Sequence, residues 1–273
     1  MTSAMIWAGA AGSLLLWCGL SIKWRFRLRS AFANAVIAFS GTIGLMAAAV
    51  RLIPSESPSR LAAVETAFLV LVSAALIAFQ FYRDPEREAP RGEGLIVSPA
   101  DGTVRYVRRL PVKSVPQSRK KGVCFPLKEF VRFTGFGDSE LVQFGIEMNV
   151  LNVHINRSPI SGKVVFKERV RGRFLSLRDR EALSRNERMV HVIEDGGIRV
   201  AVVQIASRLV RRIVSYCEVG ETLKAGQRIG MIRFGSQVDL VMPYREDLRI
   251  RVRPGAKTLA GETVLAAFEK KNR

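Results

Sequence analysis

The sequence predicts a mainly β domain preceded by N-terminal membrane-spanning helices. Two observations carry this prediction. Residues 1–82 contain three long apolar segments with almost no charge, and such segments cross a hydrocarbon core of about 30 Å when they form helices. After Tyr82 the pattern changes to short alternating apolar runs broken by Gly and Pro, which is typical of antiparallel strands. We therefore expect a membrane anchor over residues 1–82 and a second domain over residues 83–273.

The three apolar segments differ in length. Ala4–Ile22 has 19 residues and no charge, Ala31–Val50 has 20 residues and no charge, and Leu61–Tyr82 has 22 residues with Glu65 near its start. The first is borderline for a span, so the anchor has two or three transmembrane helices. A signal peptide is the alternative for the first segment, but its basic residues follow the apolar run and no clear cleavage site is present.

Basic residues predict the orientation of the anchor. Four of them crowd residues 23–30 and three more follow the last segment, whereas the link 51–60 is less basic. Lys and Arg concentrate in cytoplasmic loops. We therefore expect the N-terminus outside, the second domain facing the cytoplasm, and the protein in the cell membrane.

The second domain contains six stretches that read as strands. They are Thr103–Val107, Leu141–Met148, Gly162–Phe166, Met189–Ile193, Ile198–Ile205 and Gln237–Met242. Arg173–Arg188 reads as a polar loop with a helical turn or two, and Pro111–Glu140 as a basic, irregular insertion. The turns Leu223–Ile229 and Leu259–Val264 resemble each other and those of lipoyl carriers. This resemblance implies a barrel-sandwich-hybrid-like domain.

Composition narrows the function classes. The chain carries a formal net charge of +19, and residues 83–273 hold 37 Lys/Arg against 22 Asp/Glu. A basic domain suits nucleic acid or an anionic membrane surface, and the adjacent anchor favours the membrane over nucleic acid. Three widely spaced cysteines and two histidines predict neither a disulfide framework nor a metal site.

The dipeptide Gly235–Ser236 lies between two apolar, alternating stretches. A serine on a strained backbone can attack the preceding carbonyl, which shifts the acyl group from nitrogen to oxygen. Elimination of that ester leaves a pyruvoyl group, an electrophile that the chain makes for itself. An ordinary hairpin turn is the alternative reading of the same residues.

Several separate motifs occur along the chain in the same order as in one enzyme family. They are Phe81–Arg87, Val97–Val104, Asn152–Gly162, Asn186–Arg188, Val203–Ala206 with Arg211–Val214, and Arg233–Ser236 with Val238–Leu240. Over about residues 79–245 the chain resembles the short-chain phosphatidylserine decarboxylases. These are pyruvoyl-dependent enzymes that make phosphatidylethanolamine.

The resemblance implies a self-cleaved proenzyme. Cleavage between Gly235 and Ser236 gives chains 1–235 and 236–273, which stay associated. The pyruvoyl group derived from Ser236 forms a Schiff base with phosphatidylserine and accepts the electrons left by departing carbon dioxide. No pyridoxal phosphate and no metal are expected. The oligomeric state stays open, a homo-oligomer included.

The same resemblance assigns site residues. Asp101 matches the acidic residue of self-processing, although an aspartate before glycine is also a common turn. His154 shares one strand face with Asn152 and Asn156, and its imidazole can exchange a proton at neutral pH. Asn156 and Arg157 are candidates to bind the lipid phosphate or the substrate carboxylate.

One position departs from the family pattern. Longer relatives have two histidines three residues apart, and Arg157 occupies the place of the second. The base for self-cleavage is therefore open at this point.

Two alternatives remain. One is the same chemistry on another serine-headed lipid, archaetidylserine, which has an identical headgroup. The other is a catalytically silent, membrane-tethered β-domain that binds anionic lipid or nucleic acid through its charge.

Overall fold

The structure is a computed structural model that describes residues 3–24, 28–52, 58–110, 114–116, 124–137, 139–177, 179, 181–207, 212–232 and 237–269. Its helices are α1 (Ser3–Trp24), α2 (Leu28–Leu52), α3 (Pro58–Tyr82), α4 (Leu127–Val131) and α5 (Ala182–Arg185). Its strands are β1 (Leu95–Val97), β2 (Gly102–Leu110), β3 (Ser114–Pro116), β4 (Cys124–Pro126), β5 (Leu141–Glu147), β6 (Ile155–Arg157), β7 (Gly162–Val170), β8 (Arg188–Asp195), β9 (Ile198–Ile205), β10 (Ile213–Ser215), β11 (Thr222–Leu223), β12 (Arg228–Ile232), β13 (Gln237–Pro243), β14 (Leu248–Ile250), β15 (Lys257–Thr258) and β16 (Val264–Phe268).

The chain divides into two compact units. A helical unit comprises Met1–Arg83 with Asn149–Leu151, and a β unit comprises Asp84–Met148 with Asn152–Arg273. In the helical unit, Arg29–Ala48 and Ser59–Tyr82 are long and apolar enough to cross a membrane. The apolar part of α1, Gly9–Ile22, is shorter than either of these two segments. By length and composition two helices could therefore be membrane spans, and the anchor of two or three spans stays a prediction.

Polar side chains join the three long helices to one another. Ser13 of α1 donates a hydrogen bond to the carbonyl oxygen of Ala35 in α2 (2.8 Å). The Gln80 amide of α3 donates to the Asn34 amide oxygen of α2 (2.7 Å). Such bonds satisfy polar groups inside an apolar bundle and fix the rotation of each helix.

The β unit is built around one curled sheet of eight strands. Their order is β11-β7-β8-β9-β13-β5-β2-β15, and each pairing is antiparallel. Smaller sheets have the orders β1-β16-β14, β10-β12-β6 and β3-β4. The prediction of a mainly β domain after apolar helices is confirmed.

Each face of the large sheet carries an apolar cluster, because alternate side chains of a strand point to opposite faces. One cluster joins sheet residues such as Phe144 and Leu240 to Leu265 of β16 and Ile229 of β12. The other joins sheet residues that include Val203 and Val241 to buried side chains of α4. The domain core therefore lies on both faces of the central strands.

All six predicted strands are confirmed as β2, β5, β7, β8, β9 and β13. The interpretation of Pro111–Glu140 as wholly irregular is wrong. This stretch contains β3, β4 and α4, because Leu127, Phe130 and Val131 bury their side chains in the second apolar cluster. Residues 111–113, 117–123 and 138 of this stretch lie outside the described residues.

Substitution of Gly230 tests the packing of the sheet that carries β6. Gly230 of β12 pairs with Ser215 of β10 and Asn156 of β6. A Cβ here would lie 2.5 Å from the Val214 carbonyl oxygen. We expect Gly230→Ala to lower the free energy of unfolding by about 1–3 kcal/mol, measured by urea unfolding of detergent-solubilised protein with far-UV circular dichroism.

The control for this substitution is Gly44→Ala in α2, where an added Cβ meets no atom within 4 Å. Alanine is the better helix former, so stability should not fall. Equal losses for the two variants would contradict the packing argument.

Candidate active site

Two adjacent segments form the site, the turn between β1 and β2 and the stretch that leads into β6. The backbone N–H of Arg157 donates to the Pro99 carbonyl oxygen (2.9 Å), and the N–H of Val97 donates to the Pro159 carbonyl oxygen (2.9 Å). These bonds hold the Ser98–Gly102 turn against residues 152–159. The predicted site residues on both segments are therefore neighbours in space.

Asp101 is buried and accepts four hydrogen bonds. Arg87 donates to both carboxylate oxygens, at 2.5 Å and 3.1 Å. The backbone N–H of Ala260 donates to Oδ1 (2.8 Å), and that of Val153 donates to Oδ2 (3.4 Å). Burial by itself lowers the pKa of Arg87, but the hydrogen bond and charge of Asp101 bring the net shift upward. The Asp101 carboxylate joins the turn to Val153, the residue before His154.

His154 is fully buried just before β6. Its Nδ1 lies 2.8 Å from the Asn152 carbonyl oxygen. A carbonyl oxygen only accepts, so in the neutral ring Nδ1 carries the proton and Nε2 the lone pair. This contact fixes the orientation of the ring and makes Nε2 the nitrogen that can take up a proton.

The backbone of His154 is bonded to the end of β12. The N–H of Ile232, the last residue of β12, donates to the His154 carbonyl oxygen (3.2 Å). Arg233-Phe-Gly-Ser236 follows Ile232 in the sequence, and Gln237 begins β13. Gly235 and Ser236, the predicted cleavage site, lie outside the described residues.

Asn156 is fully buried and faces the domain interior. Its amide oxygen accepts from Gln204 Nε2 of β9 (2.7 Å), and its Nδ2 donates to the Pro99 carbonyl oxygen (3.4 Å). These contacts connect the large sheet, β6 and the Asp101 turn. The substrate-binding role of Asn156 stays a prediction.

Arg157 is also buried, and it spans several segments. It donates to the carbonyl oxygens of Gly226 (3.0 Å) and Pro85 (2.8 Å), and it pairs with Asp84 (3.3 Å). Burial, followed by the nearby charge of Arg228, lowers its pKa. In this geometry Arg157 holds the chain at residues 84–85, and its role in binding substrate stays a prediction.

Ion pairs fasten the segment Asp84–Arg87 to the β unit. Arg228 of β12 pairs with Asp84 (2.6 Å) and Glu86 (2.5 Å), while Arg157 and Asp101 bind Asp84 and Arg87. The hydrogen bonds and charges of Glu86 and Asp84 raise the pKa of Arg228. The motif after α3 is therefore part of the wall of the candidate site.

Two contributors were missed by sequence reasoning. Arg87 belongs to a matched motif, but nothing in the sequence shows which carboxylate it meets. Gln204 interrupts the apolar strand Val200–Ile205, and a lone polar residue on a buried strand usually has a specific partner. That signal was available for Gln204.

The second histidine lies elsewhere in the fold. His191 is buried on β8 with Nε2 3.0 Å from the Ser215 hydroxyl. Burial, aided by the charge of Lys167, lowers its pKa to about 4. It is neutral near pH 7 and is a structural residue. Within the described part of the chain, no group of three or more His, Cys, Asp or Glu side chains could hold a metal ion.

Loss of the Arg87 charge should destabilise the β unit strongly. The two side chains of the Arg87–Asp101 pair are 7% and 3% exposed, so Arg87→Met leaves a buried carboxylate without a countercharge. We expect the free energy of unfolding to fall by about 3–5 kcal/mol, again by urea unfolding in detergent. The double variant Arg87→Met/Asp101→Leu should recover much of this loss.

The matched control is Arg249→Met, because the pair that Arg249 forms with Glu269 is half exposed on both sides. Exposed ion pairs contribute about 0–1 kcal/mol. A loss at Arg87 no larger than that at Arg249 would show that the buried pair has no special role.

Comparisons with known proteins match this chain to one family. Residues 75–266 match the family model described as phosphatidylserine decarboxylase. A Symbiobacterium thermophilum phosphatidylserine decarboxylase proenzyme is 43% identical over 197 residues, 72% of this chain and 81% of that protein. A Pelobacter propionicus proenzyme of the same name is 39% identical over 236 residues, 85% and 96% of the two chains. A Methanothermobacter thermautotrophicus protein, provisionally named an archaetidylserine decarboxylase proenzyme, is 44% identical over 195 residues, 71% and 82% of the two chains. The chain belongs to the phosphatidylserine decarboxylase family.

Proposed function

We propose that this protein decarboxylates phosphatidylserine to phosphatidylethanolamine after cleaving itself between Gly235 and Ser236. Family membership supports the reaction class. The observation that carries the proposal for this chain is the bond from the Ile232 N–H to the His154 carbonyl oxygen, because Ile232 is the last residue before the Arg233–Ser236 motif and His154 carries a buried imidazole. That imidazole is tied in turn to Asp101 through Val153.

Self-processing begins when the Ser236 hydroxyl attacks the Gly235 carbonyl carbon. The peptide bond becomes an ester, and elimination then releases the Gly235 carboxylate. Hydrolysis of the resulting dehydroalanine releases ammonia and leaves the pyruvoyl group. Asp101 serves this step by holding the backbone beside His154, through its bond from the Val153 N–H.

The two product chains stay associated through β13. This strand belongs to the shorter chain, 236–273, whereas its neighbours β5 and β9 belong to the longer chain, 1–235. Gln237–Pro243 is paired with β5, and Gln237–Val241 with β9. Strand pairing on both sides, with Val238 and Leu240 buried in the core, opposes dissociation.

The chemistry of the candidate site residues fits a carbonyl prosthetic group. A pyruvoyl carbonyl supplies the electron sink for decarboxylation of an amine substrate. In the neutral ring of His154, Nδ1 is bonded to a carbonyl oxygen, so Nε2 is the nitrogen that can exchange a proton in this buried site. We assign to it the proton delivered to the carbon that loses carbon dioxide. Asn156 and Arg157 are proposed to aid substrate binding. Their hydrogen bonds to neighbouring segments fix the orientation of both side chains.

The substrate implies a membrane setting. Phosphatidylserine is an anionic lipid, and the β unit belongs to a stretch, 83–273, with 37 Lys/Arg and 22 Asp/Glu. Each Lys or Arg near an anionic surface contributes about 1 kcal/mol. We place the protein in the cell membrane, with the catalytic domain on the cytoplasmic side.

A second candidate is archaetidylserine. The relative from Methanothermobacter thermautotrophicus, which carries that substrate in its provisional name, favours it. The serine headgroup is the same in both lipids, so the chemistry at residues 101, 154 and 236 is unchanged. Parallel assays with the two lipids decide between them.

Self-cleavage is tested by intact mass spectrometry. The purified protein should yield a C-terminal fragment of 38 residues, by the count 273 − 235, whose N-terminus is blocked by pyruvoyl. Ser236→Ala should remain one inactive chain, and Ser207→Ala serves as the control that cleaves normally. Only full-length chain in the unaltered protein, or a fragment with a free N-terminal serine, would falsify the processing proposal.

The proposed roles of Asp101 in self-cleavage and of His154 in turnover are separated by a pair of variants. Asp101→Asn should accumulate uncleaved precursor, because an amide cannot accept all four donors that surround the carboxylate. His154→Ala should still cleave but release carbon dioxide about 100-fold more slowly, as expected on loss of a general acid–base. Gels report cleavage, and trapped carbon dioxide reports turnover.

His191→Gln is the control for losing a buried imidazole, and it should cleave and turn over. An uncleaved His154→Ala variant beside a normally cleaved Asp101→Asn variant would reverse the assignment. Thermal unfolding of each variant separates a loss of chemistry from a loss of fold.

A further inference from the structure

A second buried polar cluster lies on the large sheet, and two of its residues closely follow the predicted cleavage site in sequence. It consists of Tyr106 on β2, Gln143 on β5, and Gln237 and Asp239 on β13, each at most 8% exposed. We refer to these four residues as the Asp239 cluster. None of them was a candidate from the sequence.

Three donors converge on the Asp239 carboxylate. Tyr106 donates its hydroxyl to Oδ2 (2.8 Å), Gln143 donates its Nε2 to the same oxygen, and Gln237 donates its Nε2 to Oδ1 (2.6 Å). Gln237 Nε2 also lies 2.6 Å from the Tyr106 hydroxyl oxygen, to which it donates. An ionised carboxylate only accepts hydrogen bonds, so this arrangement suits the charged form.

The backbone makes room for the cluster at Gly145. Gly145 of β5 is the register partner of both Tyr106 and Asp239. A Cβ at this position would overlap the Tyr106 ring. Glycine is therefore required at position 145 for the phenol to reach Asp239 across β5.

Gln237 connects this cluster to the predicted cleavage site along the chain. It follows Ser236 directly in the sequence, and its backbone pairs with Glu147 of β5 and Ile205 of β9. Its side chain adds the two bonds to Tyr106 and Asp239. Backbone and side chain together fix the position of the first described residue after the cleavage site.

We propose that Tyr106, Gln143 and Asp239 anchor Gln237, and thereby position residue 236 for decarboxylation. They are positioning residues: Tyr106 and Asp239 are hydrogen-bonded to Gln237, and Gln143 acts through Asp239. The inference rests on the proposed function, because it requires the reactive group at position 236.

The surroundings of Asp239 make ionisation of its carboxyl group unfavourable. Burial raises the pKa of Asp239 to about 6 even though the three donors oppose that shift. Burial, reinforced by the Asp239 charge, raises the pKa of Tyr106 well above its ordinary value, so it stays a donor. The facing groups are Tyr106 and Arg108 from β2, Gln143 from β5 and Gln237 from β13, while the β9 partner in register is Val203.

The unfavourable ionisation of Asp239 lets an experiment distinguish a positioning role from a contribution to the stability of the fold. Below the unfolded pKa of about 3.8 the folded and unfolded states both hold the proton. As pH rises to about 6, the unfolded state ionises first, so the Asp239 contribution to stability is lost over this window. Asp239→Asn, which mimics the protonated acid, should therefore not weaken the fold at pH 7.5.

The test uses full-length protein in detergent with dispersed phosphatidylserine. The variants are Asp239→Asn, Gln237→Met and Tyr106→Phe, and the control is Ser215→Ala, which removes the hydroxyl beside His191. Cleavage is measured on gels, kcat and KM by carbon dioxide release from the cleaved enzyme, and stability by thermal unfolding.

We expect Asp239→Asn and Gln237→Met to cleave and to lose kcat by about 10- to 100-fold, the effect of a small misplacement of reacting groups. KM should change by less than about twofold, because the substrate-binding groups are untouched. Tyr106→Phe removes one donor and should lose less, and Ser215→Ala should match the unaltered protein. The ratio of kcat between unaltered protein and Asp239→Asn should shrink as pH falls from 7.5 to 5, as Asp239 itself becomes protonated.

Three results would contradict the proposal that the Asp239 cluster positions Gln237. One is an unchanged kcat in Asp239→Asn, and another is a loss of kcat in all four variants that parallels their melting temperatures. A third is uncleaved Asp239→Asn protein, which would move the cluster to the processing step. If the unaltered protein neither cleaves nor releases carbon dioxide, the proposed function itself fails, and that result is distinguishable because it needs no variant.

Discussion

The buried pair between Arg87 and Asp101 is the interaction on which the candidate site depends. The Asp101 carboxylate gathers donors from three separate parts of the β unit: the guanidinium of Arg87, the N–H of Val153 and the N–H of Ala260. A carboxylate out of water needs such partners, since its burial otherwise costs several kcal/mol. The same requirement therefore sets the path of the chain at residues 84–87, the β1–β2 turn and the backbone beside His154.

Strand β13 imposes the second constraint. It lies between β5 and β9, and its alternate side chains serve different purposes: Val238 and Leu240 fill the core, whereas Gln237 and Asp239 face Tyr106 and Gln143. A chain that is cut just before this strand must hold the new end without covalent help. Hydrogen bonds on both edges of β13 and the polar contacts of its first residues keep this new end in place. The sheet and the proposed chemistry therefore both require β13 to be fixed at its start.

Local patterns were enough to predict the three long helices and the six main strands, because alternation and apolar length are recorded within short stretches. Asp101 and His154 became candidates through the order of the motifs, and their roles stay predictions. The partners were not predictable. Arg87 and Asp101 are 14 residues apart, and Tyr106 and Asp239 are 133 apart, so only the folded sheet shows that they meet. The helix in Pro111–Glu140 was missed because five residues are too few for a periodic signal. Lone polar residues in apolar strands, as at Gln143, Gln204 and Asp239, were the usable sign of buried contacts.

Arginine at position 157 limits how protons can move near the cleavage site. A guanidinium stays charged and only donates, and Arg157 is committed to Asp84, Pro85 and Gly226. It cannot accept the Ser236 proton, as a histidine there could. Asp101 can accept it only by giving up a donor, and the weakest of its four bonds is the 3.4 Å contact from the Val153 N–H. His154 follows Val153 directly. Proton transfer at Asp101 would therefore loosen the backbone that precedes the imidazole, which couples the two groups.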